Sequence, residues 1–295
     1  MRITQKTMFS NFMRDINKNR SEMAELQSDL SSGRSVRFPS QDPVSFQSSR
    51  IMEEDIKKTE QYQGNINSGL RQASLSQGAL DGAIDGLIQL KEIAVQGASS
   101  SLGENQRENL ADKVAGVRKN LVNTLNREYG ERQLFAGTNS DTKPFELQND
   151  GTVVNNSNDT APTIIAGDGV KIDISVSGEE IADTEAGDLF EVIGDLEQSL
   201  RDNDADAVSD MIPKSDKIIE HVTDLTSRLG DNINRMEFMN EQYESTKITQ
   251  KSHVSKLVDT DYAQAFSELQ RNQVAFESAM AVHSNMFKNT LLDYL

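Results

Sequence analysis

Apolar side chains recur along this chain at alternating steps of three and four residues. That period commits most of the chain to long α-helices packed along narrow seams. Near the start, Phe9, Phe12, Ile16, Met23, Leu26 and Leu30 fall on one seam, broken by Asn19. A single polar member of such a seam commonly fixes register. Gly33 suits the left-handed position just past a helix end. The stretch "LSSGRSVRFPSQDPVSF" (30–46) then forces a stop and a restart. Pro39 keeps Phe38 out of the helical region, Ser40 or Asp42 can cap a new helix, and Pro43 fits its first turn.

The restarted helix is expected from Pro43 to Gly97, on the order of 80 Å long. Tyr62, Ile66, Ala73, Leu80, Leu87, Leu90 and Ala94 follow its seam. Gly78, Gly82 and Gly86 recur at four-residue spacing, each costing about 1 kcal/mol of helix propensity. Three such residues on one face predict close approach of another helix, and the interleaved Asp81 and Asp85 rule out a membrane reading of the spacing. A third helix is expected at about 105–134, with Leu110, Val114, Val117, Leu121 and Leu125 on its seam. Short connections make these helices antiparallel neighbours.

The period then changes. Residues 144–178 carry turn signals and an alternation at Val170, Ile172, Ile174 and Val176, which predicts short β-strands. Helices return near Asp188, and Val222, Leu229, Ile233, Met236, Tyr243, Val254 and Leu257 share a new seam. "DTDYAQAF" (259–266) interrupts it. The last helix carries Tyr262, Phe266, Leu269, Phe276, Met280, Phe287 and Tyr294, and the chain closes on "LLDYL". The fold class is therefore mainly α: long antiparallel helices with paired N- and C-terminal coiled-coil helices and a small β-rich insert. The expected domains are a terminal coiled-coil assembly region (1–42 and 258–295), a long-helix bundle (43–137 and 189–257), and a small acidic β-rich outer domain (138–188).

Composition agrees with long, solvated helices: the chain is 36% hydrophobic and 5% aromatic, with a mean hydropathy of −0.58. The net charge of −17 argues against nucleic acid, whose phosphates need a basic surface. The charge is uneven. Residues 138–212 hold 18 Asp/Glu against 3 Lys/Arg, whereas residues 1–40 hold 7 basic and 4 acidic side chains. There is no cysteine, which removes disulfides, thiol catalysis and Cys-based zinc sites. No segment reaches the apolar length of a membrane span or of a signal-peptide core, so neither membrane insertion nor a cleaved signal is expected.

Catalytic patterns are absent. His221, His253 and His283 are lone helical histidines. Asp202, Asp204 and Asp206 mimic the start of a calcium loop, but Ala207 and Pro213 occupy its sixth and twelfth positions, so the run reads as helix-capping acids. "NNS" (155–157) and "NDT" (158–160) match a glycosylation sequon and read as loop residues. No cofactor, metal or enzymatic activity is expected. Two amphipathic helices at the free ends, which with the loop after the first hold six of the chain's eleven phenylalanines, call for a partner. The expected inter-subunit assembly residues are Phe9, Phe12, Ile16, Met23, Leu26 and Leu30 in the first helix. In the last they are Phe266, Leu269, Phe276, Met280, Phe287, Leu291, Leu292 and Leu295.

At this point the residues resemble a known family. "LSSGRSVRFPSQDP" is similar to the turn after the first terminal helix of bacterial flagellins, with Gln41 where that family commonly has Asp. Residues 65–99 resemble the long helix of the same family. "REYGERQLFAGTNSDTKPF" (127–145) and the closing "LLDYL" resemble its hook–filament junction members more than filament flagellin. The resemblance covers roughly residues 1–145 and 220–295 and leaves the insert aside.

The resemblance implies a structural subunit of the flagellum, exported unfolded through the flagellum's own type III apparatus without a cleaved signal. It would form the extracellular adaptor layer between hook and filament. The implied partners are further copies of itself, the other hook-associated junction protein, flagellin, and an export chaperone on the C-terminal helix. The terminal stripes would order on assembly. Arg34, Arg37, Pro39, Asp42 and Pro43 would form an inter-layer loop that becomes rigid only in the assembly. Its arginines would either pair with a neighbour's carboxylates or stay solvated. Filament flagellin is the nearest alternative, and a cytoplasmic coiled-coil scaffold is a more distant one.

Overall fold

The structure, a computed structural model, describes residues 5–139 and 142–292, with backbone alone for Gln5 and 285–292. It has seven helices among the described residues: α1 (Gln5–Ser32), α2 (Pro43–Gly97), α3 (Glu104–Leu125), α4 (Gly178–Ala182), α5 (Leu189–Arg201), α6 (Ala205–Val258) and α7 (Tyr262–Leu292). Eight short strands lie between α3 and α5. They pair only as antiparallel hairpins: β1 (Glu128–Tyr129) with β2 (Arg132–Gln133), β3 (Phe145–Leu147) with β4 (Val153–Asn155), β5 (Thr163–Gly167) with β6 (Val170–Asp173), and β7 (Asp183–Thr184) with β8 (Gly187–Asp188). The mainly α class holds, with paired terminal helices and a small β-rich insert. The chain divides into two compact units, one of Met1–Lys57 with Thr246–Leu295, the other of Lys58–Ser245.

The larger unit has a continuous apolar core. The expected seams supply it: Ile66, Ala73, Leu80, Leu87, Leu90 and Ala94 of α2, Leu110, Val114, Leu121 and Leu125 of α3, and Val222, Leu229 and Met236 of α6 are all buried. The amphipathic α5 adds Leu189, Ile193, Leu196 and Leu200, and packs along α3. Asp188 caps α5 through Phe190 and Glu191 N–H, where the sequence placed the return of helix.

The glycine triplet behaves unevenly. A Cβ on Gly86 would meet Leu121 Cδ2 at 3.0 Å, so α3 does approach there. At Gly82 the contact is an ordinary 3.4 Å, and Gly78 has nothing within 4 Å. Tighter approaches occur at glycines outside the triplet. A Cβ on Gly69 would lie 2.7 Å from Ile164 Cδ1, and one on Gly97 would lie 2.5 Å from Leu200 Cδ2.

The third helix stops at Leu125, the last member of its expected seam and nine residues short of the expected end at 134. Asn126 ends it, its N–H bonded to Val122 O, and its side-chain amide clamps the Phe145 backbone in both directions, at 2.6 and 3.0 Å. Gly130, at φ +65°, then turns the β1–β2 hairpin. Leu134, at the expected end of that helix, and Phe135 after it are instead a plug buried in the core. Leu134 O accepts from Ser175 Oγ at 2.8 Å and Phe135 O from Gly178 N–H at 2.7 Å. Gly137 follows at φ +72°, pressed against Asn158, with no space for a side chain.

The β5–β6 hairpin is held at several points. Asn65 Nδ2 donates to Ile165 O at 2.9 Å, Tyr243 Oη to Ala166 O at 2.8 Å, and Asn232 Nδ2 to Asp173 O at 3.1 Å. Of the three acids expected as helix caps, Asp204 acts as one: its Oδ1 accepts from Asp206 and Ala207 N–H at the start of α6, while Asp202 Oδ1 accepts from Gln198 Nε2. Both sequon asparagines are engaged, Asn155 with Glu179 and Ser157, Asn158 with Thr138 and Thr160.

Candidate assembly surface

In the smaller unit, α1 and α7 pack against each other along their length. They run antiparallel. Phe12 near the start of α1 stacks on His283 near the end of α7, with ring centroids 4.0 Å apart, while Gly33 past the end of α1 lies against Tyr262 at the start of α7. Ile16, Ala265 and Leu269 are buried in this pair, and Phe12, Met23, Leu26, Leu30 and Phe276 are half-buried. Asn19 is half-buried too, its Oδ1 shut off from water without a hydrogen-bond partner among the described residues.

The apolar stripes are wider than the pair can cover. Along α7 the inward line is Ala265, Leu269, Asn272, Phe276, Ala279 and His283, so the seam is rotated from the one read off the large side chains. Tyr262, Phe266 and Met280 are left on a shoulder, with Tyr262 and Phe266 more than half exposed. On α1, Met8, Phe9 and Met13 are exposed in the same way. The side chains of Phe287, Leu291, Leu292 and Leu295 lie outside the described residues.

The loop between α1 and α2 is tied down entirely within the chain. Gly33 adopts φ +73°, and its O accepts from Thr260 N–H at 2.9 Å. Ser35 N–H donates to Val258 O at 2.8 Å, and the Arg34 backbone forms an isolated antiparallel β-bridge with that of Asp259. Arg34 pairs with Glu53 at 2.7 Å. Arg37 pairs with Asp29 at 2.7 Å, touches Ser28 Oγ, and lies over the Phe38 ring. The two arginines thus have partners in their own chain, which neither sequence expectation named, and the loop's hydrogen bonds need no neighbour.

Gln41 is the residue the sequence undervalued. Its Oε1 accepts from Arg37 N–H at 2.7 Å and Phe38 N–H at 3.1 Å, and its Nε2 reaches Glu25. Asp42 caps α2 through Val44 and Ser45 N–H. Beneath the loop, Ile56, Val254 and Val258 form a small core with Val36, Met52 and Leu257. Phe38, Val44 and Ile51 remain exposed on the outside. Burial pushes Asp29 above the ordinary carboxylate value although Arg37 pulls it down, with Glu25 adding to the rise. Hydrogen bonds from Ser45 and Val44 hold Asp42 below that value.

Among the described residues no three His, Cys, Asp or Glu side chains are grouped to hold a metal ion, and no helix is long and apolar enough to cross a membrane. The histidines have separate settings: His221 Nε2 contacts Glu180 O at 2.7 Å, His283 stacks on Phe12, and His253 is exposed.

A family model described as the bacterial flagellin N-terminal helical region matches residues 3–140, and one for the flagellin C-terminal helical region matches residues 212–295. The chain belongs to the flagellin family. Flagellar hook-associated protein 3 of Escherichia coli is 22% identical over 307 residues, covering 97% of both chains, and its Salmonella typhimurium counterpart matches equally well. Solved structures of hook-associated proteins share the fold. One from Vibrio parahaemolyticus has a TM-score of 0.67 at 21% identity, covering 74% of this chain and 100% of that one. The junction protein FlgL of Legionella pneumophila has 0.61 at 14%, covering 72% and 100%. In this flagellin-family chain the two matched regions contain the whole α1–α7 pair, both sides of the loop, and the Leu134–Phe135 plug. The β5–β6 hairpin and α5 lie between them.

Proposed function

We propose that this chain is a non-catalytic structural subunit of the bacterial flagellum, forming the adaptor layer between hook and filament. The observation that carries this is the end-to-end likeness to flagellar hook-associated protein 3, over 97% of both chains. The terminal pair is the assembly element. Ile16, Met23, Leu26, Leu30, Leu269 and Phe276, with Phe12, build the pair. The shoulder of Phe9, Phe266 and Met280, joined by Met8, Met13 and Tyr262, meets neighbouring subunits, and Phe287, Leu291, Leu292 and Leu295 also act in assembly. Large exposed apolar stripes at both termini support this, because such surfaces in a soluble chain mark interaction sites.

The partners are further copies of the chain, the other hook-associated junction protein on one side and flagellin on the other. Before export, a chaperone covers the C-terminal helix. The chain reaches the flagellum without a cleaved signal, and the terminal helices complete their burial on assembly, so binding supplies the ordering free energy. Arg34, Arg37, Pro39, Asp42 and Pro43 carry the chain between two layers of the assembly.

Deleting the gene tests this reading. Cells should keep completed hooks, lack filaments, and lose flagellin monomers into the medium. Normal filaments would overturn it. Absence of any exported flagellin would instead point to filament flagellin itself or to an earlier export step.

A further inference from the structure

Four Asp–Gly pairs occur in the chain, at 81–82, 85–86, 150–151 and 168–169. This dipeptide is chemically reactive. The glycine amide nitrogen can attack Cγ of the neutral aspartic acid, and the C–OH bond breaks with loss of one water. The five-membered succinimide that forms is opened by water at either carbonyl. The product is aspartate again or an isoaspartyl linkage, in which the backbone runs through the former side chain. Atoms balance, and no oxidant or co-reactant is needed. The attack requires a free amide nitrogen, a carboxyl that can be neutral, and a backbone able to bring the two together.

Three of the four pairs fail those conditions. Gly82 and Gly86 lie inside α2, where each N–H belongs to the helical ladder and the backbone is fixed. At the third, Asp150 Oδ1 accepts from Thr152 N–H at 3.0 Å and Thr152 Oγ1 at 2.7 Å, while Gly151 N–H donates to Gln148 O at 3.1 Å. The Thr152 hydrogen bonds also hold that carboxyl below its ordinary value, so its neutral form is scarce.

The fourth pair is the two-residue tip of the β5–β6 hairpin, between the paired Gly167 and Val170. Asp168 and Gly169 are both exposed. Neither the Asp168 carboxylate nor Gly169 N–H has a hydrogen-bond or ion-pair partner among the described residues. Gly169 sits at φ +69° with open space where a Cβ would stand. We infer that Asp168–Gly169 is a spontaneous isoaspartate-forming site in the folded protein, and that the other three Asp–Gly pairs are shielded by the fold. The modified carboxyl is of the class recognised by isoaspartyl O-methyltransferases. The inference concerns the purified chain and does not depend on its place in the flagellum.

The full-length protein, held for weeks at neutral pH, is digested and each Asp–Gly peptide assayed by isoaspartyl methyltransferase labelling and electron-transfer fragmentation. Isoaspartate should accumulate severalfold faster at 168 than at 81, 85 or 150. The same chain unfolded in urea should bring all four into one range. Equal rates in the folded protein, or a lead at 150, would overturn the inference. A lead at 168 that persists undiminished in urea would also overturn it, because the selection would then lie in local sequence and not in the fold.

Discussion

Gln41 satisfies two backbone amides of the loop with one oxygen and reaches α1 with its nitrogen. Gln41→Ala should leave Arg37 and Phe38 N–H to water, at a cost of about 0.5–1.5 kcal/mol, read as lost hydrogen-exchange protection at those two amides. The two carboxyls beside it respond to pH with opposite sign. Asp42 is held below its usual value of 3.8, so its contribution is present above that value and lost as pH falls through the folded one. Asp29 is raised, so its contribution is present below 3.8 and lost as pH rises through its folded value. Asp42→Asn should keep the cap and flatten the acid limb of urea-unfolding stability measured from neutral pH down to the acid range. Asp29→Asn should remove the opposing limb. Asp42 and Gly33 were legible in the sequence because capping and the left-handed turn are local. The partners of Arg34 and Arg37 were not, because Glu53 and Asp29 reach them only once α1 and α2 are folded beside the loop.

At the level of elements, the heptad pattern located α2 well, since its seam is long and most of it faces the core of the larger unit. The expected end of α3 at 134 was too late, because Leu134 and Phe135 enter the same core by a different backbone path. The pattern did not give the face that α7 turns to α1, because Ala265, Asn272 and Ala279 are small or polar and a seam of large side chains passes them over. The glycines of α2 separate propensity from packing. Gly78→Ala should raise stability by about 1 kcal/mol, the helix propensity gained where nothing is nearby. Gly97→Ala should lower it, because the added methyl would press on Leu200, and Gly86→Ala should fall between the two. Urea unfolding of the three variants checks the order. Asn19→Leu should stabilise the α1–α7 pair by about 1–3 kcal/mol by removing a buried, unpaired oxygen. It should also loosen register, visible as extra cross-links between cysteines placed at neighbouring positions on the two helices.

For the whole molecule, the separation of inward seam from outward shoulder gives the most direct test of assembly. Phe266→Ser with Met280→Ser should leave the circular dichroism and melting of the isolated chain nearly unchanged and abolish motility in a complemented deletion strain. Leu269→Ala should instead destabilise the chain itself by about 2–4 kcal/mol, as loss of a buried leucine does. The sequence showed that the ends are amphipathic and alike. It did not show which side chains each end covers for the other, because that division depends on helix rotation and not on periodicity.

The joining of the first helix to the last also sets an order of events in time. Ser35 bonds to Val258 across 223 residues, and Thr260 to Asp29 across 231. Closing a flexible loop of that size costs about 5 kcal/mol. Within the larger unit, however, Tyr62 stacks on Tyr243 at 6.0 Å and Gln63 reaches Asn240. Once that unit folds, the two chain segments leaving it start side by side, and most of the closure cost has already been met. A chain emerging from a ribosome or a narrow channel, amino end first, therefore has to hold its opening helix unmatched until the final segment arrives.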